Sequence, residues 1–221
     1  MAIPSSAVDG AIAHVRLEQL ALTVEELREA MQVGYTAAAG CTEHDPRSLA
    51  GTLAWGKGIG HLRDLTKLRG WTSDRTANYE TTVHPSNSHA VAIAAGTAET
   101  GRTDGLPPHT KTPKGPATSR AVARNAQLSL GQGTDVFRGT GEPVDDEDRE
   151  TWVLLHHFDK DAEQIRLELS LPLEMSGKQI TAWAERLILP PIEFSSEVEI
   201  EDVEPDVPID IDVSRRTTGL R

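Results

Sequence analysis

At 221 residues, with a hydrophobic fraction of 38% and a further 18 Gly, the chain is long enough to hold one sizeable core with tails. A formal charge of −12 repels phosphate backbones and weighs against a general nucleic-acid binder. The lone cysteine, Cys41, excludes an internal disulfide and a cysteine-built zinc cage, and no apolar run is long enough to cross a bilayer. Residues 1–16 lack the basic start and apolar run of a secretory signal, so a soluble, cytoplasmic protein is expected.

Residues 1–22 read as an N-terminal arm. Thr23-Val24-Glu25-Glu26 then has the form of a capping box, followed by Leu27, Ala30, Met31 and Gly34 on one helical face. This predicts a helix over 23–40. Asp45-Pro46 supplies an N-cap and a first-turn proline for a second helix running to about Leu68, with Gly70 as its stop. Gly51, Gly56, Gly58 and Gly60 weaken that helix and point to close helix packing or a kink near Trp55.

The pattern then turns to strands. Residues 78–84 and 89–95 read as a hairpin around Pro85-Ser86-Asn87-Ser88. A Gly-, Pro- and Thr-rich loop over 96–116 precedes a short helix over 117–130, and residues 131–150 form a second linker. Residues 152–158 and 165–171 read as strands, the latter alternating without error. Residues 183–189 fit either strand or helix. We take them as a strand, because Ser176-Gly177 would close a meander. From Ser195 on, acids, Val and Pro follow no closing pattern, which predicts a disordered acidic tail over 195–221.

Charge is sorted along the chain. Between Glu193 and Asp212 there are nine acids and no base, whereas Arg102, Lys111, Lys114, Arg120 and Arg124 cluster against only Glu99 and Asp104. With His109, these bases make the segment 96–124 the candidate binding region, for an acidic protein, a nucleic-acid backbone or a phosphate.

Other motifs fail on physical grounds. Gly96 to Gly101 has phosphate-loop spacing, but Arg102 stands where lysine belongs and Asp104-Gly105-Leu106-Pro107-Pro108 cannot open the required helix. His156 and His157, as strand neighbours, point to opposite faces and cannot grip one ion together. Cys41 near His44 lacks any sign of a paired nucleophile. Arg166 and Glu168 read as a solvated strand face able to pair with Glu185 and Arg186. No metal, cofactor or catalytic set is expected.

The expectation is therefore an α+β body over 23–194. Two N-terminal helices (23–70) pack on a mostly antiparallel sheet of about five strands (78–194). Its expected function is non-enzymatic: an accessory protein engaging a protein partner through charged loop and tail. Nucleic-acid or nucleotide-phosphate binding through 96–124 is the first alternative, and a metal-assisted hydrolase built from scattered His and Asp the second.

Overall fold

The computed structural model describes residues 6–8, 10–131 and 149–193. The expected acidic tail and nearly all of the second linker lie outside the described residues.

Helix α1 (Gly10–Gln19) occupies what the sequence suggested was an arm. Ala13, Leu17 and Leu20 fall at i, i+4 and i+7 and are all buried, so this stretch belongs to the core. Helix α2 (Val24–Ala38) opens on the expected capping box. Thr23 Oγ1 accepts from the Glu26 N–H at 3.1 Å, and Glu26 Oε2 accepts from the Thr23 N–H at 3.0 Å. Helix α3 (Arg47–Lys67) begins after Pro46, but Asp45 does not cap it. The Asp45 carboxylate instead accepts from the Thr42 N–H and hydroxyl, at 2.8 and 3.1 Å, and closes the turn behind it.

The glycines on α3 divide into two uses. Gly58 faces Met31, and Gly34 of α2 lies so near α3 that an added Cβ would meet the Ala54 carbonyl oxygen at 2.2 Å. Gly56 and Gly60 face open space. Close packing, not a break, is what the buried glycines serve: α3 runs unbroken through Trp55.

Seven strands form one sheet among the described residues: β1 (Ser6–Val8), β2 (Thr72–Asp74), β3 (Thr81–Val83), β4 (His89–Ala95), β5 (Glu150–Asp159), β6 (Gln164–Ser176) and β7 (Gln179–Glu193). Their order is β1-β7-β6-β5-β4-β3-β2. The sheet is mixed and larger than expected. The β3–β4 hairpin and the β5–β6–β7 meander are antiparallel, but β4 and β5 run parallel, joined through helix α4 (Pro116–Gly131). The expected strand over 78–84 shrinks to β3, because Thr76–Asn78 form a 3-10 turn with Ala77 and Asn78 at positive φ. The ambiguous 183–189 segment is strand, inside β7.

Alternation on the strands assigns the two faces. Val91, Ile93, Trp152, Leu154, Phe158, Leu167, Leu169 and Leu187 pack beneath α1, α2 and α3 in the main core. The opposite face carries a second, smaller core of Ala94, Val153, Leu155, Val122, Ile180 and Trp183. Ile180 and Trp183 reach it because the β6–β7 ladder slips register repeatedly between Leu171 and Met175. Such bulges coil a hairpin across the sheet that carries it.

Asn125 of α4 repairs the place where this coiling opens the sheet. Pro172 has no N–H to offer β5. Asn125, itself 1% exposed, donates to the carbonyls of Thr151 and Pro172 at 2.9 and 3.1 Å and accepts from the Thr151 N–H at 2.9 Å. One amide side chain thus stands in for a missing rung and fixes α4 to the sheet.

Candidate functional site

The long segment after β4 is bound down along its length. Gly96 forms an antiparallel bridge with Thr110. The Lys111 N–H donates to Ala95 at 2.9 Å, and the Thr110 N–H donates to the Ile180 carbonyl at 3.1 Å. The Lys114 N–H reaches the Lys178 carbonyl at 2.6 Å, while the Trp183 indole donates to the Pro108 carbonyl at 2.7 Å. The strip therefore joins the end of β4 to the start of β7 and closes the coiled hairpin over the second core.

Beneath the first part of the strip lies a buried ion pair. Glu168 is 0% and Arg186 4% exposed. Arg186 donates to the carboxylate from Nε at 3.0 Å and from Nη2 at 2.6 Å. Ser170 Oγ donates at 2.7 Å, and the Gly101 N–H at 2.8 Å. Arg186 Nη2 also donates to the Arg102 carbonyl at 3.1 Å. The partner expected for Glu168 is right, but its setting is not. It is no solvated face, because residues 97–104 fold over it. The phosphate-loop spacing of Gly96 to Gly101 does receive an anion, and that anion is the chain's own carboxylate. Gly101, at φ +71, also has no room for a Cβ, which would meet the Arg166 Cβ at 2.9 Å.

The candidate cations fall into three settings. Arg102 is exposed but clasps Asp104 at 3.0 and 2.7 Å; that bond holds the Arg102 guanidinium above, and the Asp104 carboxyl below, its ordinary range. Lys114 is buried, its ammonium donating to Thr112 Oγ1 at 3.1 Å, and half-buried His109 donates its backbone N–H to Thr97 Oγ1 at 3.3 Å. Lys111 is exposed beside the hairpin tip, where its carbonyl accepts from Gln179 at 3.3 Å.

Arg120 and Arg124 differ from the rest. They stand one turn apart on α4, Arg120 exposed and Arg124 half-buried, in a helix containing no acid. The opposite side of α4 buries Thr118, Ala121, Val122 and Asn125. Ser119, Ala123, Gln127 and Leu130 share the exposed surface with Arg120. The segment 96–124 therefore divides into a tethered strip, whose amides are largely taken up by its own fold, and a basic helix facing solvent.

The histidines do not assemble with them into a reactive centre. His156 lies in the main core, its Nδ1 2.8 Å from the Tyr35 hydroxyl, whereas His157 faces the other side, its Nδ1 3.3 Å from the Gly96 carbonyl oxygen. Glu99 lies within electrostatic reach of His109 and His157, and a hydrogen bond from the Thr97 hydroxyl keeps its carboxyl low. Among the described residues, no group of three His, Cys, Asp or Glu is arranged to hold a metal ion. Cys41 is buried and its thiol is raised by that burial, then by Asp45, which keeps it protonated and unreactive. His44 is exposed and lies 3.8 Å from Glu43.

A further histidine group had no sequence signal beyond its turn. His84 and His89 stack at 4.6 Å, and Trp71 meets both edge-on. His89 Nε2 lies 3.0 Å from the Leu20 carbonyl oxygen, tying the start of β4 to the α1–α2 connection.

No family model, curated protein or solved structure matches the chain. The reading of function therefore rests on the residues themselves.

Proposed function

We propose that this is a non-enzymatic binding protein that receives an acidic protein partner on the outward face of α4. The observation that carries the reading is the pair Arg120 and Arg124 on an acid-free helix anchored through Asn125. A fixed platform holds the two guanidinium groups without ordering cost at the backbone, which favours recognition of carboxylates. The tethered strip supports the platform, and exposed Lys111 adds a third positive charge on the same segment.

Cytoplasmic residence belongs to the same proposal. It is supported by the single buried cysteine and by described helices that are all too short or too polar to cross a membrane. Binding to nucleic acid would use the same cations, but the overall charge of −12 opposes it.

The test is fluorescence anisotropy of a labelled acidic peptide, and separately of a labelled DNA duplex, over a salt series. The proposal expects peptide binding that weakens with salt and falls about tenfold in Arg120→Ala/Arg124→Ala, as two partly screened ion pairs imply. Preferential binding of the duplex would reassign the face to nucleic acid. Binding of neither probe would reject both readings.

A further inference from the structure

We infer that the β3–β4 turn is an acid sensor, in which Ser86 and Ser88 form a proton wire from half-buried His84 to buried His89 and so to the bond that holds the α1–α2 connection. The inference is independent of the α4 face. His84 Nδ1 lies 2.7 Å from Ser86 Oγ, Ser86 Oγ donates to Ser88 Oγ at 2.9 Å, and Ser88 Oγ lies 2.9 Å from His89 Nδ1. The turn fixes this spacing. The His84 N–H donates to the His89 carbonyl at 3.0 Å, and the Asn87 N–H to the His84 carbonyl at 2.8 Å.

Hydrogen counting sets the direction of the wire. The Leu20 carbonyl, 3.0 Å from His89 Nε2, can only accept, so Nε2 carries a hydrogen and Nδ1 takes one from the Ser88 hydroxyl. Ser86 supplies Ser88, which leaves three links with two hydroxyl hydrogens. The third hydrogen sits on His84 Nδ1, and a proton from water is taken up at the other nitrogen of that ring. When the charge moves inward, His84 Nδ1 gives its hydrogen to Ser86, Ser86 gives its own to Ser88, and Ser88 gives its own to His89 Nδ1. Each serine keeps one hydrogen, and one positive charge passes from His84 to His89. His84 Nδ1 then accepts from the Ser86 N–H, 3.2 Å away, while His89 donates to Leu20 and Ser88 together. Both ring nitrogens of His89 are thus engaged in either state, which suits a relay and not a metal site.

The surroundings make the inner charge costly. Burial acts first on both rings; His84 and Arg16 then oppose a charge on His89, holding it down to about 4, and Arg69 opposes one on His84. The bond to the Leu20 carbonyl offsets only part of this. Nearby carboxylates are engaged elsewhere: Glu26 with Arg69 at 2.5 Å, Asp74 with Arg149 at 2.8 Å, and Glu150, opposite His89 on β5, with the Trp152 indole at 3.3 Å. The rings, stacked at 4.6 Å, admit one charge at a time. Below 6.5 an opened turn binds the proton more readily than the closed one, so acid favours opening. The segment released is the α1–α2 connection, where Arg69 also grips the Ala21 carbonyl at 3.0 Å and Ala21 is held at φ +52.

Two measurements on the full, isotope-labelled chain between pH 7.5 and 5 test the inference. Relaxation dispersion of the His89 ring signals at pH 5 gives the rate at which that ring is protonated. Ser88→Ala cuts the wire, and the rate should fall about tenfold or more, because water then reaches the ring only when the turn opens. Ser88→Thr keeps the hydroxyl and should restore it. Ser86→Ala, at an exposed position, should slow the step in the same way and serves if Ser88→Ala does not fold. An unchanged rate in a folded chain lacking either hydroxyl would overturn the wire. The second measurement is amide exchange at Leu22, whose N–H donates to the Leu17 carbonyl at 3.0 Å within the connection. Its protection factor should fall about tenfold or more from pH 7.5 to 5, and much less in His89→Gln. Constant protection, or an equal fall in His89→Gln, would overturn the sensor.

Discussion

Arg186 and Glu168 meet at 2.6 Å across β7 and β6, both buried, and the loop that covers them also bonds Glu168 through the Gly101 N–H and Arg186 through the Arg102 carbonyl. The pair thus joins two parts of the fold that are distant in sequence. Its attraction must offset the loss of hydration of two charges, so it is better understood as a device that fixes the strip than as a large net stabiliser.

Removing one member should be costly. Glu168→Ala leaves a buried guanidinium unpaired and is expected to cost about 3–5 kcal/mol, whereas Glu168→Leu/Arg186→Met together should cost much less. Urea midpoints of Glu168→Ala, Arg186→Met and the double check this. Amide exchange at Gly101 should quicken in the single variants.

Asn125→Ala should destabilise by about 2–4 kcal/mol, because it leaves the Thr151 N–H and the carbonyls of Thr151 and Pro172 without their partner in a buried site. Thermal and denaturant unfolding of the variant measure it. A loss below about 1 kcal/mol would mean that α4 is not held by this clamp.

The helix pair offers a steric contrast. Gly34→Ala drives a methyl group into the Ala54 carbonyl and is expected to cost about 1–3 kcal/mol. Gly56→Ala and Gly60→Ala point into open space and should stabilise by about 0.5–1 kcal/mol, through helix propensity and a less free unfolded chain. The three midpoints, compared in one buffer, decide it.

Acid should weaken the fold through His89. Burial first, and the neighbouring His84 next, hold its pKa down to about 4, against 6.5 for the free side chain. Below 6.5 the unfolded chain takes up a proton that the folded chain refuses. Stability is thus fully present above that pH and declines toward 4, by about 3 kcal/mol once both states are protonated. His84 is lowered as well, by burial first and then by Arg69, and adds in the same direction. Urea midpoints between pH 7.5 and 4 should fall less steeply in His89→Gln.

Much of the fold is legible from short-range signals. The Thr23–Glu26 box, the strand over 89–95 and the alternation over 165–171 all depend on neighbours within a few residues, and each stands where the pattern puts it. The parallel pairing of β4 with β5 depends on a long crossover, and no local residue encodes it. Alternation also misjudged Glu168. Period two separates the faces of a strand, but it does not tell whether the second face meets water or a distant loop. Helix α1 did leave a signal in Ala13, Leu17 and Leu20, obscured by its short length. Within the candidate site, the sequence located the basic segment. Which cations stay available was not legible, because neutralisation of Arg102 and burial of Lys114 follow from loop geometry.

The central claim, that the α4 face selects partners by charge, is tested most directly by reversing it. Arg120→Glu/Arg124→Glu should lose the labelled acidic peptide and gain a labelled basic one, with an unchanged urea midpoint showing that the fold is intact. Undiminished binding of the acidic peptide by the reversed chain would contradict the account.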